Sequence, residues 1–83
     1  MPSRRTRLSV DEGFGRILAE LRLERRLSQT RLGNEAGSGR TFISDLERAR
    51  RGASLKTVFR LAEQPSVTPS GIVRRVEVEV EGY

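Results

Sequence analysis

The chain has 83 residues and a net charge of +5. It is long enough for one small domain that buries only about 60% of its unfolded surface, so the core is slight and a second subunit would help it. It has no cysteine and no histidine, which removes disulfides, the commonest metal ligands and the commonest general base. We therefore expect no metal site, no cofactor and no enzymatic activity. Apolar runs are too short to span a membrane and no signal-peptide core is visible, so a cytoplasmic location is expected. The basic side chains are 15 arginines and one lysine. Arginine's planar fork suits phosphates and guanine edges, although codon usage in a GC-rich genome gives the same bias.

Residues 1–8 carry three arginines, a proline and no acid, and read as a flexible basic arm or a solvated tail. Ser9 to Glu12 has the form of a capping box, with Asp11 and Glu12 at the favourable end of the helix dipole. Phe14, Ile17, Leu18 and Leu21 follow at i, i+3, i+4 and i+7, which predicts a first helix to about Arg25. Arg26 then holds a helix-end position where glycine is more comfortable.

Ser28 caps a second helix, Gln29 to Ala36, whose apolar residues Leu32 and Ala36 lie four apart. Gly37-Ser38-Gly39 is a tight turn. A third helix runs from about Arg40 to Arg48 with Ile43 and Leu46 inward. Gly33 has no side chain to keep the second and third helices apart. Two short helices joined in this way are the sequence form of a helix-turn-helix, which predicts DNA binding.

Arg50 to Ala53 reads as a basic loop. Ser54 caps a fourth helix, with Leu55, Val58, Phe59 and Ala62 expected inward. It should stop near Glu63, because Pro65 biases Gln64 away from helical angles. Thr68 caps a fifth helix with Pro69 at its first position and Ile72, Val73 and Val76 apolar. From Val76 to Glu81 valine and glutamate alternate strictly, the period of a strand. Two readings stay open for residues 77–83: a strand pairing with the same tail of a second copy, or a frayed acidic tail. The expected architecture is all-α, a compact four-to-five-helix bundle over residues 9–76, with that short C-terminal strand as the one addition.

A recognition helix presents its N-terminal side chains to base edges. Here these are Arg40, Thr41, Ser44 and Asp45. Arg40 can pair bidentately with guanine, and Thr41 can meet a phosphate or a thymine methyl. Asp45 is repelled by phosphates unless it accepts from a cytosine amino group or braces Arg40 or Arg48, and we prefer an orienting role for it. Gln29 stands at the start of the second helix, where free N–H groups and its amide can hold a phosphate. Arg31, Arg48, Arg50 and Arg51 are candidate DNA contacts that could equally be solvated. Arg22 and Glu47 sit beside the apolar stripes of the first and third helices, placed to form a buried pair that locks the reading helix.

Residues 14–76 resemble the phage repressor/Cro-like (XRE) helix-turn-helix family. The resemblance rests on Leu21-Arg22, Leu27-Ser28-Gln29, Leu32, Ala36-Gly37, Ile43 to Arg48, Ser54-Leu55 and Leu61-Ala62. It implies a four- or five-helix bundle that binds a palindromic operator as a homodimer and controls transcription. It also implies that Gln29, Arg40, Thr41, Ser44 and Asp45 face DNA and that Arg22 pairs with Glu47. Small members of the family resemble restriction–modification controllers, phage or plasmid regulators and antitoxins. A small protein partner, toxin or polymerase, is thus the alternative to DNA alone.

Three positions depart from the family pattern. Ser38 replaces an aliphatic in the turn, which predicts a looser corner. Ala49 replaces the glycine that ends the reading helix, so Gly52 takes over or the helix runs on. Gln64-Pro65-Ser66 replaces Ala-Leu-Gly, which removes a core leucine near the family's dimer contact.

Overall fold

The computed structural model describes residues 8–81. Five helices form: α1 Val10–Glu24, α2 Gln29–Glu35, α3 Arg40–Glu47, α4 Leu55–Glu63 and α5 Pro69–Glu81. Among the described residues there is no strand. Four of the five starts are set by a side chain that satisfies an otherwise orphaned N–H; α3, which begins after Gly39, has no such cap. At α1 the Ser9 hydroxyl accepts from Glu12 N while the Glu12 carboxylate accepts from Ser9 N, a complete capping box. Ser28 and Ser54 do the same for Arg31 N and Thr57 N, and the Thr68 hydroxyl accepts from Gly71 N.

The core draws on every helix. Leu18 and Leu21 of α1, Leu32 of α2, Leu61 of α4 and Ile72 of α5 share one cluster with Ile43 and Leu46 of α3, which are both 0% exposed. Two glycines let backbones approach closely. A Cβ on Gly33 would collide with the backbone of Gly39, which is how α2 and α3 share so tight a corner. A Cβ on Gly15 would lie 2.7 Å from the Glu47 carbonyl oxygen, so α1 crosses the last turn of α3 almost backbone to backbone.

Four helices end alike. After α1, α2 and α3 the residue following the C-cap takes positive φ, and after α4 the second residue following it does; its N–H and the next fold back on the last carbonyls. Only after α2 is that residue glycine, Gly37 at φ 76°. Arg26 (57°), Ala49 (58°) and Ser66 (60°) close α1, α3 and α4. Backbone bonds Leu27 N–Arg22 O (2.9 Å), Arg50 N–Asp45 O (2.8 Å) and Val67 N–Ala62 O (3.1 Å) complete these three ends. Leu27 and Val67 thereby drop against the core. At Ala49, Gly52 does not take over and the helix does not run on; alanine itself adopts the left-handed turn. The corner at Ser38 is closed by its own N–H, which donates to Gly33 O at 2.7 Å, while the side chain is exposed.

Other expectations are corrected. In α4, Val58, Leu61 and Ala62 are buried, but Leu55 is 70% exposed and Phe59 55%. Val73 of α5 is 53% exposed, leaving Ile72 and Val76 as its core residues. Gln64 keeps helical angles (φ −71°, ψ −49°), and the Pro65 ring is itself fully buried. The valine–glutamate tail is no strand: residues 77–81 continue α5. Alternation also places valines four apart, and Val76 and Val80 use that spacing to pack on α1 beside Gly13. Arg16–Glu79 (3.2 Å), Arg75–Glu20 (3.0 Å) and Arg75–Glu24 (3.5 Å) then stitch α5 to α1. Except for Leu8, the basic arm at the N-terminus lies outside the described residues, as do residues 82 and 83 of the tail.

Candidate nucleic-acid interface

Burying Ile43 and Leu46 fixes the rotation of α3 about its axis. The opposite side then carries Arg40, Thr41, Ser44, Asp45 and Arg48 in one patch. Arg40, Thr41 and Arg48 are exposed, while Ser44 and Asp45 are half-buried. Among the described residues neither Arg40 nor Arg48 forms a salt bridge. The brace expected from Asp45 to one of them is not made, and no other described side chain engages the Asp45 carboxylate.

The two edges of this patch are held differently. At one edge Glu47 is clamped by Arg22. Arg22 Nε lies 2.7 Å from Oε2 and Nη2 3.1 Å from Oε1, while Nη1 donates to the Leu27 carbonyl at 3.0 Å. The fork therefore ties together the end of α1, the loop before α2 and the end of α3. Gln29 joins the same carboxylate through Nε2, 2.9 Å from Glu47 Oε1. One of its amide hydrogens is thus turned inward; the other remains for an external acceptor.

At the other edge Phe42, half-buried, carries the guanidinium of Arg51, whose Cζ stands 5.0 Å from the ring centroid. Sequence reasoning misses Phe42. Its one signal is an aromatic beside the predicted reading face and close in sequence to a basic loop. Arg50 is exposed in the same loop. Arg31, on α2, is paired with Glu35 at 2.7 Å, a hydrogen bond and charge contact that raise its pKa and partly neutralise it towards any other anion. Among the described residues no group of acidic side chains could hold a metal ion, and no helix is long and apolar enough to cross a membrane.

Comparison with known proteins agrees with this geometry. Residues 18–72 match the helix-turn-helix family model, well over half of the chain. The chain belongs to the Cro/C1-type helix-turn-helix family. It is a DNA-binding transcriptional regulator, not an enzyme. It is 33% identical over 61 residues to control protein C.BamHI of Bacillus amyloliquefaciens, covering 72% of this chain and 75% of that one. Among solved structures, the restriction–modification controller C.AhdI of Aeromonas hydrophila superposes with TM-score 0.72 at 32% identity, over 75% of this chain and 94% of its own. The clp gene regulator ClgR of Corynebacterium glutamicum shares the fold with TM-score 0.86 over 92% of this chain and 81% of its own, at 14% identity.

Proposed function

We propose that this regulator acts in the cytoplasm as a homodimer on a palindromic operator. The observation that carries the reading is the polar face of α3, left open while Ile43 and Leu46 anchor the other face. Arg40 reads guanine, and Thr41, Ser44 and Asp45 meet neighbouring base edges or phosphates. Arg48, Arg50 and Arg51 contact the backbone. Gln29, through its remaining amide hydrogen, and Arg31, when released from Glu35, supplement them. If about six phosphates are neutralised per dimer, log affinity falls with log salt at a slope near −5.

The dimer forms across α4 and α5. Leu55, Phe59 and Val73 line an open groove of about 380 Å³ with Pro69, Arg74 and Glu77. A two-fold axis through such a groove buries the same apolar residues from both copies, and the opposite charges of Arg74 and Glu77 can meet across it. The control functions named for C.BamHI and the controller role of C.AhdI support this assignment. C.Esp1396I, which shares the fold at 20% identity, forms a tetramer on its natural 35 base-pair operator, so occupancy by one or two dimers is part of the test.

Selection of bound fragments from genomic DNA with the purified protein is expected to return paired half-sites about 34–36 Å apart, centre to centre. Arg40→Ala should then cost about 1–3 kcal/mol on the selected site and relax preference at one position of each half-site. Equal losses on selected and random DNA would remove base reading by Arg40.

A further inference from the structure

We propose that Phe42 is a positioning residue for DNA binding: its ring is the platform that holds the Arg51 guanidinium ready for a phosphate. This rests on the reading of Arg51 as a backbone contact. On the helical wheel Phe42 lies beside Asp45, at the border between the buried stripe and the open face of α3. Its ring is half-buried and packs against the core, so it is a fixed surface rather than a mobile one. Arg51 belongs to the loop after α3. The left-handed turn at Ala49 and the bond from Arg50 N to Asp45 O reverse the chain there. The side chain of Arg51 thus lies back over the first turn of α3, with Cζ 5.0 Å from the ring centroid.

The chemistry of this contact suits a phosphate. A guanidinium attracted to the face of a ring uses its own face, and its N–H donors point outward in its plane. Face-on stacking of this kind leaves the fork free for a phosphate oxygen pair. It also removes rotamer freedom that a long side chain would otherwise lose on binding. The protein has no acid on Arg51 among the described residues, so nothing must be displaced when the phosphate arrives. Arg31, already held by Glu35, is the contrasting case.

The test is a double-mutant cycle on a random-sequence duplex, with affinity measured over a range of salt. Phe42→Leu keeps an apolar side chain against the core and removes the ring. It should weaken binding about 2- to 5-fold per subunit. Phe42→Tyr keeps the ring and should bind as the parent does. Arg51→Ala should weaken binding and reduce the salt slope by about 0.9 per subunit. In the Arg51→Ala background, Phe42→Leu should have no further effect. An equal loss from Phe42→Leu with and without Arg51, or a loss in Phe42→Tyr equal to that in Phe42→Leu, would overturn the positioning role while leaving Arg51 as a contact. Unchanged affinity and slope in Arg51→Ala would overturn the reading of Arg51 itself, and the proposal with it. Thermal unfolding of each variant reports whether a loss reflects the fold.

Discussion

The two open faces of this molecule are built in opposite ways. Around α3 the exposed side is polar, and the helix beneath it is held by close-packed backbone at Gly15 and Gly33, by the Arg22–Glu47–Gln29 cluster and by the Phe42 ring. Across α4 and α5 the exposed side is apolar, and Leu55, Phe59 and Val73 project with nothing over them within the described chain. A face that reads a polar polymer must not shift, because hydrogen bonds to base edges tolerate little displacement. A face that meets a second copy gains from apolar area, which is non-directional. Rigidity is therefore concentrated under α3, and hydrophobic surface is concentrated on α4 and α5.

The largest effect should come from breaking the clamp under α3. The Arg22 and Glu47 side chains are only 13% and 8% exposed. Glu47→Ala leaves the guanidinium in that site with no carboxylate, and removing one member of a buried pair costs about 3–5 kcal/mol. We expect a loss near the lower end, since Arg22 keeps its bond to the Leu27 carbonyl. Urea unfolding measures it, and DNA affinity should fall in the same variant as α3 loses its anchor. A change in stability below about 1 kcal/mol would mean that the clamp does not hold α3.

The converse variant touches only the second face. Phe59→Glu alters an exposed side chain, so the stability of the dilute monomer should stay within about 0.5 kcal/mol of the parent. In the proposed dimer it also removes two buried aromatics and sets two charges near the two-fold axis. The loss of about 3 kcal/mol or more of apolar burial corresponds to roughly a hundredfold weaker dimer. Sedimentation equilibrium reads this directly. A dimer of undiminished strength would move the interface elsewhere, and monomer stability falling as in Glu47→Ala would erase the distinction between the two faces.

The same distinction explains what could be read from the sequence. The α3 region was legible because polar and apolar residues segregate there: Ile43 and Leu46 inward, Arg40, Thr41 and Arg48 outward, and Arg22 matched to Glu47. The serine and threonine caps were legible because capping is local chemistry. The α4–α5 face was not, because apolar periodicity records burial without saying against what. Leu55, Phe59 and Val73 are spaced like core residues, and only coordinates separate them from Leu61 and Ile72. The Val76–Glu81 alternation misled for a related reason. Strict alternation satisfies period two, yet it also supplies Val76 and Val80 at helical spacing, and packing on α1 with ion pairs to Arg16, Glu20 and Glu24 overrides strand propensity. Val78 is the residue left outside, 48% exposed.

The smallest expected effect lies where the two faces join. Ala49 turns the chain out of α3 at φ 58°, a conformation that costs a Cβ-bearing residue about 1–2 kcal/mol. Glycine there relieves that strain but loses more backbone freedom on folding, by about 0.4–1 kcal/mol. Ala49→Gly should therefore raise stability by about 0.5–1 kcal/mol, a Tm increase of a few degrees for a domain of this size. The same change at Ala19, in the interior of α1, should lower stability by about 1 kcal/mol, because a helical φ offers glycine no relief. Opposite signs for one chemical change at two sites isolate backbone strain from side-chain loss. Two decreases would show that the Ala49 methyl contributes more through packing than its turn costs. Because Ala49→Gly preserves the turn, the Arg50–Arg51 loop keeps its course, and affinity for a random-sequence duplex should match that of the parent. A stabilised protein that binds DNA more weakly would instead mean that the alanine methyl helps to hold Arg51 over Phe42.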